Sequence, residues 1–328
     1  MNASNLPNLG VYCFALLLLF AGLTPAHCDE NAQRALEMPM SHSVVENIAS
    51  AIEAQYILPE KARHIAQQLR SNVTEGRYTA GTADVKSLAT LLSRDLKAIS
   101  EDGHMMVEHV DQEKGEDGWI AEWIAKAPSV NYGFDPLEFL PGDIAYLKIT
   151  TFYSPELIEA PFQAVMEQVI HSRGLILDLR NNPGGDGDGA NHIMATFLPK
   201  GIESPLLIES RVDNKLSQSP MELPTELSWA RYLDKKMLIL VNRKTFSAPE
   251  SLAFALQDAG RAKVIGTPTG GGAHMLEAMT PVAGGFLVGI PTKRPVGRYS
   301  GKTWEGRGVA PDFLSDDENA LRLALEQF

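Results

Sequence analysis

A serine at the mouth of a helix is the first residue in this chain placed for covalent chemistry. Thr245-Phe246-Ser247-Ala248-Pro249-Glu250 follows the apolar run Met237-Leu238-Ile239-Leu240-Val241 and opens a helical stretch from Ser247 to Asp258. A hydroxyl there faces the positive end of a helix dipole, where backbone amides can stabilise an oxyanion. The same fragment also reads as a capping box, with Ser247 as N-cap and Glu250 at the third helical position. Taken alone, the fragment leaves both readings open.

A second loop has the same setting. Asp178-Leu179-Arg180-Asn181-Asn182-Pro183-Gly184-Gly185-Asp186 follows the apolar run Leu175-Ile176-Leu177 and precedes a helical stretch, Ala190 to Leu198. Paired glycines at such a point allow close approach of backbone to a ligand and aim N–H groups into a cleft. The loop has neither the Gly-x-Gly-x-x-Gly nor the Gly-Lys-Ser/Thr form, so nucleotide binding is not indicated. No metal site is expected either. His104 and His109 are an odd number of residues apart and would point to opposite faces of a strand. Glu108-His109 belongs to no His-Glu-x-x-His motif, and His171 and His192 fall in separate elements.

These segments need a scaffold, and the hydrophobic pattern supplies one. Val44, Ile48, Ile52 and Tyr56 recur at helical spacing until Leu58-Pro59 breaks the run. Ile65 and Leu69 mark a second helix. Val85, Leu88, Leu92, Leu96 and Ile99 mark a third, with Asp84 placed to cap it. All three stripes read as core faces. From Gly103 onward the pattern changes to strands: Met105 to Val107, Ala145 to Ile149, Leu175 to Leu179, Met237 to Val241, Val264-Ile265 and Phe286 to Ile290. The unbroken apolar runs suit strands covered on both faces, and their alternation with helices predicts an α/β domain.

With 328 residues the chain can bury a substantial core. Its formal net charge of −12 argues against a nucleic-acid partner, because phosphate binding needs a basic surface. The first 28 residues contain no charged side chain, and Val11 to Leu23 is almost continuously apolar, bounded by Thr24-Pro25-Ala26. This reads as a secretory signal cut after Ala26 or Cys28, with an uncleaved membrane anchor as the alternative. Cys13 and Cys28 are the two cysteines, so the mature chain has no internal disulfide and no cysteine nucleophile. The expected organisation is a signal peptide over 1–28, a helical subdomain over 29–102 and an α/β core over 103–328, in an exported protein with no stable membrane span after processing.

Gly174-Leu-Ile-Leu-Asp-Leu-Arg-Asn-Asn-Pro-Gly-Gly185, Ser247-Ala-Pro-Glu-Ser-Leu-Ala-Phe-Ala-Leu-Gln-Asp-Ala-Gly-Arg261 and Glu305-Gly-Arg-Gly-Val-Ala-Pro-Asp312 occur in that order. With Asp102-Gly103-His104, they resemble the signature blocks of the C-terminal-processing (tail-specific) peptidase superfamily over roughly residues 40–315. Within it, they resemble the branch containing interphotoreceptor retinoid-binding protein and the tricorn protease core. The resemblance implies a crotonase/Clp-protease-like α/β spiral, with Ser247 as nucleophile and an oxyanion hole at the backbone amides of Ala248 and of Gly184 or Gly185.

A serine needs a base. Many members of that superfamily use a lysine in the glycine-rich loop, here Thr267-Pro268-Thr269-Gly270-Gly271-Gly272-Ala273-His274, which has none. Lys263 and Lys293 lie outside it. The tricorn-like pattern instead implies a Ser–His–Glu triad of Ser247, His104 and Glu305, with Glu305 orienting the imidazole. His274 is a second candidate base. A serine just before the histidine in the tricorn pattern is here Gly103. The interval from Val110 to Asp143 is too short for a PDZ domain, a module that many such peptidases carry. The expected activity is therefore hydrolysis of short or unfolded peptides without a cofactor. The alternative is a non-catalytic carrier of a retinoid or other apolar ligand on the same fold.

Overall fold

The fold is that of a computed structural model, which describes residues 38–78, 84–110, 118–212 and 214–328. The expected signal peptide, with both cysteines, lies outside the described residues. Among the described residues no helix is long and apolar enough to cross a membrane.

Three helices come first: α1 (Met38–Gln55), α2 (Pro59–Thr74) and α3 (Val85–Ser100). Val44, Ile48, Ile52 and Tyr56 are buried along one stripe, as their spacing predicts. Pro59 opens α2, where its missing N–H costs nothing. Asp84 caps α3 by accepting a 2.8 Å bond from Ser87 N. Then come β1 (Met106–His109), α4 (Gly118–Lys126), a 3₁₀ segment over Ala127–Gly133 and β2 (Glu138–Leu140).

The larger part of the chain alternates strand and helix. It runs β3 (Ile144–Lys148), α5 (Pro155–Val169), β4 (Gly174–Asp178), α6 (Gly187–Thr196), β5 (Leu206–Val212), β6 (Lys215–Pro220), β7 (Lys236–Val241) and α7 (Ala248–Asp258). It continues through β8 (Lys263–Gly266), β9 (Met279–Val282), β10 (Phe286–Gly289), β11 (Lys293–Gly297), β12 (Phe313–Leu314) and α8 (Ala320–Glu326). The central sheet has the order β12-β8-β7-β4-β3-β2. Every pairing in it is parallel except the antiparallel edge strand β2. Successive residues of β4 face opposite ways: Leu175 and Leu177 pack with α5, α6 and α7, while Ile176 packs with Ala320 and Ala324 of α8. Burial on both faces is why the sequence shows these strands as continuous apolar runs. Each buried aliphatic side chain contributes roughly 1.5–3 kcal/mol.

A separate antiparallel sheet, β1-β10-β9, closes over the three N-terminal helices. Met105, Val107, Phe286, Val288 and Ile290 share one apolar cluster with those helices. The expected boundary at 102–103 thus falls just ahead of a strand that packs with the helical side. A third ribbon, β11-β5-β6, ends in the fully exposed strand β6.

This topology brings together three of the segments singled out in the sequence. β4, β7 and β8 are parallel neighbours, with Asp178 opposite Leu240 and Val241 opposite Gly266. The loops 179–186, 242–247 and 267–274 therefore leave one edge of the sheet side by side. The carboxyl edge of a parallel sheet is where such folds bind ligands.

Candidate active site

Ser247 sits between β7 and α7 with φ +69° and ψ −121°. An ordinary N-cap is extended; a non-glycine residue with positive φ stores about 1–3 kcal/mol that the surroundings must hold. Phe246 N donates to Asn182 O at 3.0 Å, and Thr245 Oγ1 donates to Leu179 O at 2.9 Å. Glu250 does more. Its fully buried carboxylate accepts from Ser247 N (2.7 Å), Gly271 N (2.7 Å), Gly272 N (2.8 Å) and Thr269 Oγ1. Burial pushes this carboxyl above its usual range against the pull of those donors. Both readings of the fragment meet here: Ser247 and Glu250 form a capping box at the start of α7, and the Ser247 hydroxyl also stands beside a base.

That hydroxyl lies 3.0 Å from His104 Nε2. His104 is fully buried in the turn before β1. Burial lowers its pKa to about 4, although Asp102 pulls the other way, so the ring is neutral at pH 7 and able to accept a proton. Phe246 packs on the ring at 4.7 Å between centroids. The glycines around it leave no spare room. A Cβ on Gly103 would lie 2.7 Å from Phe246 Cζ, which accounts physically for the missing serine side chain at that position. A Cβ on Gly272 would press into the Phe246 ring and lie 2.8 Å from His104 Cε1. Gly272→Ala is therefore expected to tilt His104 and lower kcat/KM about 100-fold with little change in circular dichroism. Steady-state kinetics on the refolded variant check this.

The third expected partner is placed differently. Glu305 is not bonded to the His104 ring, whose buried Nδ1 has no hydrogen-bond partner among the described residues. Glu305 Oε2 instead accepts from Ala273 N (2.7 Å) and His274 N (2.8 Å). Burial, with the nearby Asp102 charge, raises its pKa to about 7. The carboxylate beside Nδ1 is Asp102, with Oδ1 at 3.8 Å. Asp102 Oδ1 also accepts from His104 N at 3.0 Å, and Oδ2 accepts from Tyr56 Oη at 3.0 Å. His274 Nδ1 lies 2.7 Å from the same Oδ2. Burial pushes the Asp102 carboxyl up, but the hydrogen bond and charge of His274 outweigh it and hold it below the usual range. His274 thus faces Asp102, and the nitrogen at the Ser247 hydroxyl belongs to His104.

Gly184 and Gly185 adopt φ +128° and +137°, values that only glycine reaches without strain. A Cβ on Gly184 would lie 3.2 Å from Ser247 Cβ, so this backbone runs against the serine. The Gly184 amide is already occupied, donating to Asn182 Oδ1 at 2.9 Å. Asn182 Nδ2 in turn donates to Ile149 O at 3.0 Å. Gly185 bridges to Phe152 through its neighbours' groups, Gly184 O and Asp186 N. Among the described residues, no backbone bond outside helices and strands uses the N–H of Gly185 or of Ala248.

Sequence reasoning passed over four residues. Tyr56 looked like one more core position, because nothing local marks its hydroxyl. Asp102 and Phe246 were seen within motifs but given no task, and Glu250 was read only as a cap. Among the described residues, the titratable atoms of Asp102, His274 and Glu305 converge within 4.8 Å. Within that group His274 Nδ1 is in hydrogen-bond reach of both Asp102 Oδ2 at 2.7 Å and Tyr56 Oη at 3.2 Å. A cavity of 170 Å³ is lined by residues including Glu156, Glu159, His192, Glu226 and Trp229. Three carboxylates make it a poor fit for an apolar ligand.

The profile described as Peptidase family S41 matches residues 143–315, and that of the N-terminal domain of peptidase S41 in eukaryotic IRBP matches residues 31–131. The carboxy-terminal-processing protease of Bartonella bacilliformis is 27% identical over 242 residues, covering 67% of this chain and 52% of that protein. The chain therefore spans about half the length of that relative. A lipoprotein from Streptococcus agalactiae aligns over 94% of this chain and 98% of its own, with a TM-score of 0.59 and 16% identity. The photosystem II D1 C-terminal processing protease aligns over 84% of this chain and 93% of its own, with a TM-score of 0.53 and 17% identity. These two structures share the fold.

Proposed function

The chain belongs to Peptidase family S41, and from that premise we propose that it is a serine peptidase in which Ser247 attacks the peptide carbonyl. The observation that carries this reading is the 3.0 Å approach of Ser247 Oγ to the neutral, buried His104 Nε2 at a strained strand-to-helix turn. His104 takes the hydroxyl proton as the C–O bond forms and the carbonyl oxygen becomes an oxyanion. The amides of Gly185 and Ala248 receive that oxyanion, while Asp102, and not Glu305 directly, faces the imidazolium. His104 then gives its proton to the leaving amine as the C–N bond breaks. Water, activated by the same ring, hydrolyses the acyl-enzyme.

Peptides or unfolded protein segments are the proposed substrates, in an exported setting consistent with the apolar leader. The test is labelling by a fluorophosphonate, which reacts with an activated serine. Wild type should be labelled and Ser247→Ala should not; equal labelling of both would end this reading.

The pH profile gives an independent check. The base must be neutral to act, and burial holds His104 at about 4. Activity is therefore lost as pH falls through about 4 and is present above it. An acid limb of kcat/KM near the ordinary histidine value of about 6.5 would mean that the ring is solvated in solution.

A further inference from the structure

Among the described residues the base has no hydrogen-bond partner at its rear nitrogen, yet the carboxylate that faces it is tightly held. Asp102 is 1% exposed. Its Oδ2 is fixed from two directions, by His274 Nδ1 at 2.7 Å from the glycine-rich loop and by Tyr56 Oη at 3.0 Å from the end of α1. Its Oδ1 is left toward His104, accepting the backbone N–H at 3.0 Å and standing 3.8 Å from Nδ1. His274 is itself held by the 2.8 Å bond from its own amide to Glu305 Oε2.

Resting on the hydrolase reading, we propose that His274 is a positioning residue: its Nδ1–H holds Asp102 ionised and aimed at His104, and through it Glu305 influences the reaction at one remove. The order of contacts is Ser247, His104, Asp102, His274, Glu305. Without a donor at His274 Nδ1 the buried carboxylate would keep only Tyr56 Oη and the His104 backbone N–H, which favours its protonation or rotation. When His104 becomes positive, Asp102 Oδ1 is the nearest anion and the 3.8 Å gap can close to a charge-assisted hydrogen bond. Tyr56 supplies a second donor to Oδ2 and keeps the carboxylate from rotating. This arrangement also gives the position occupied by Gly103 no side-chain task, since Asp102 reaches the imidazole from the residue before it.

The test compares His274→Leu with His274→Asn. The asparagine amide nitrogen stands close to the place of Nδ1 and keeps a donor, whereas leucine removes it. An orienting carboxylate in a serine triad is worth up to about 10⁴ in kcat. His274→Leu, which leaves Asp102 in place but unheld, is expected to lower kcat about 100-fold with KM within twofold of wild type, and His274→Asn should recover at least a tenth of wild-type kcat. Unchanged kcat in His274→Leu, or equal loss in both variants, overturns the proposal. Should His274→Leu fail to fold, Tyr56→Phe decides: a several-fold fall in kcat at constant KM supports the clamp, and no change overturns it. Histidine-ring ¹⁵N spectra separate this proposal from the hydrolase reading. If wild type proves inert toward peptides and fluorophosphonate alike, a proton on His274 Nδ1 at neutral pH still supports the clamp on Asp102. An unprotonated Nδ1 removes it.

Discussion

Ser247→Ala and His104→Ala should each lower kcat for peptide hydrolysis by roughly six orders of magnitude, and the double variant should be no worse than either alone. The expectation follows from the 3.0 Å contact between them. A serine without its base is a weak nucleophile, and a base without its serine has no proton to take, so the two act as one unit. The residual rate over water would come from the amides of Gly185 and Ala248 and from substrate positioning. Kinetics on the three variants, at saturating peptide, check the claim. If His104→Ala kept most of its kcat while His274→Ala lost it all, the base would have been misassigned. The structure argues against that outcome, because His274 Nδ1 is directed to Asp102.

The second large effect is on folding. Glu250→Ala would strip the acceptor from Ser247 N, Gly271 N and Gly272 N at once. Each buried amide left unpaired costs about 1–3 kcal/mol, so a loss of at least about 3 kcal/mol is expected. Glu250→Gln should fall between, since its carbonyl oxygen can still accept but its amide nitrogen cannot. Denaturant unfolding measures both. The same change should also depress kcat, because this carboxylate ties the glycine-rich loop to the serine turn, leaving the Gly270 N to Thr245 O bond between them. An alanine variant as stable as wild type would show that the loop holds itself.

Much of this was visible in the residues. Ser247 and Gly184-Gly185 each follow an apolar run long enough to be a strand buried on both faces, and the parallel order of β4 and β7 brings the two loops together. The three N-terminal helices declared themselves by the spacing of Val44, Ile48 and Ile52 and by the Asp84 cap. Other parts carried no local signal. β6 has every residue exposed, so no alternation marks it as a strand. α5 begins at Pro155 and contains Pro161, which obscure a helix that packs through Ile158, Phe162 and Met166. Glu305 follows the buried Trp304, and its place beside the amides of Ala273 and His274 depends on a contact across the fold that no spacing in one chain reveals. Asp102 was seen only as a neighbour of His104; its two donors come from Tyr56 and His274, which are distant in sequence.

His104 stands immediately before β1, a strand that packs with the N-terminal helices, whereas Ser247 rises from the parallel sheet. A fragment trimmed to the sheet-forming half would keep the alcohol, the paired glycines and Glu305, yet have nothing to carry the alcohol's hydrogen away. Proteolytic loss of the front third should thus silence the chemistry at a stroke, even if the remaining piece stayed folded.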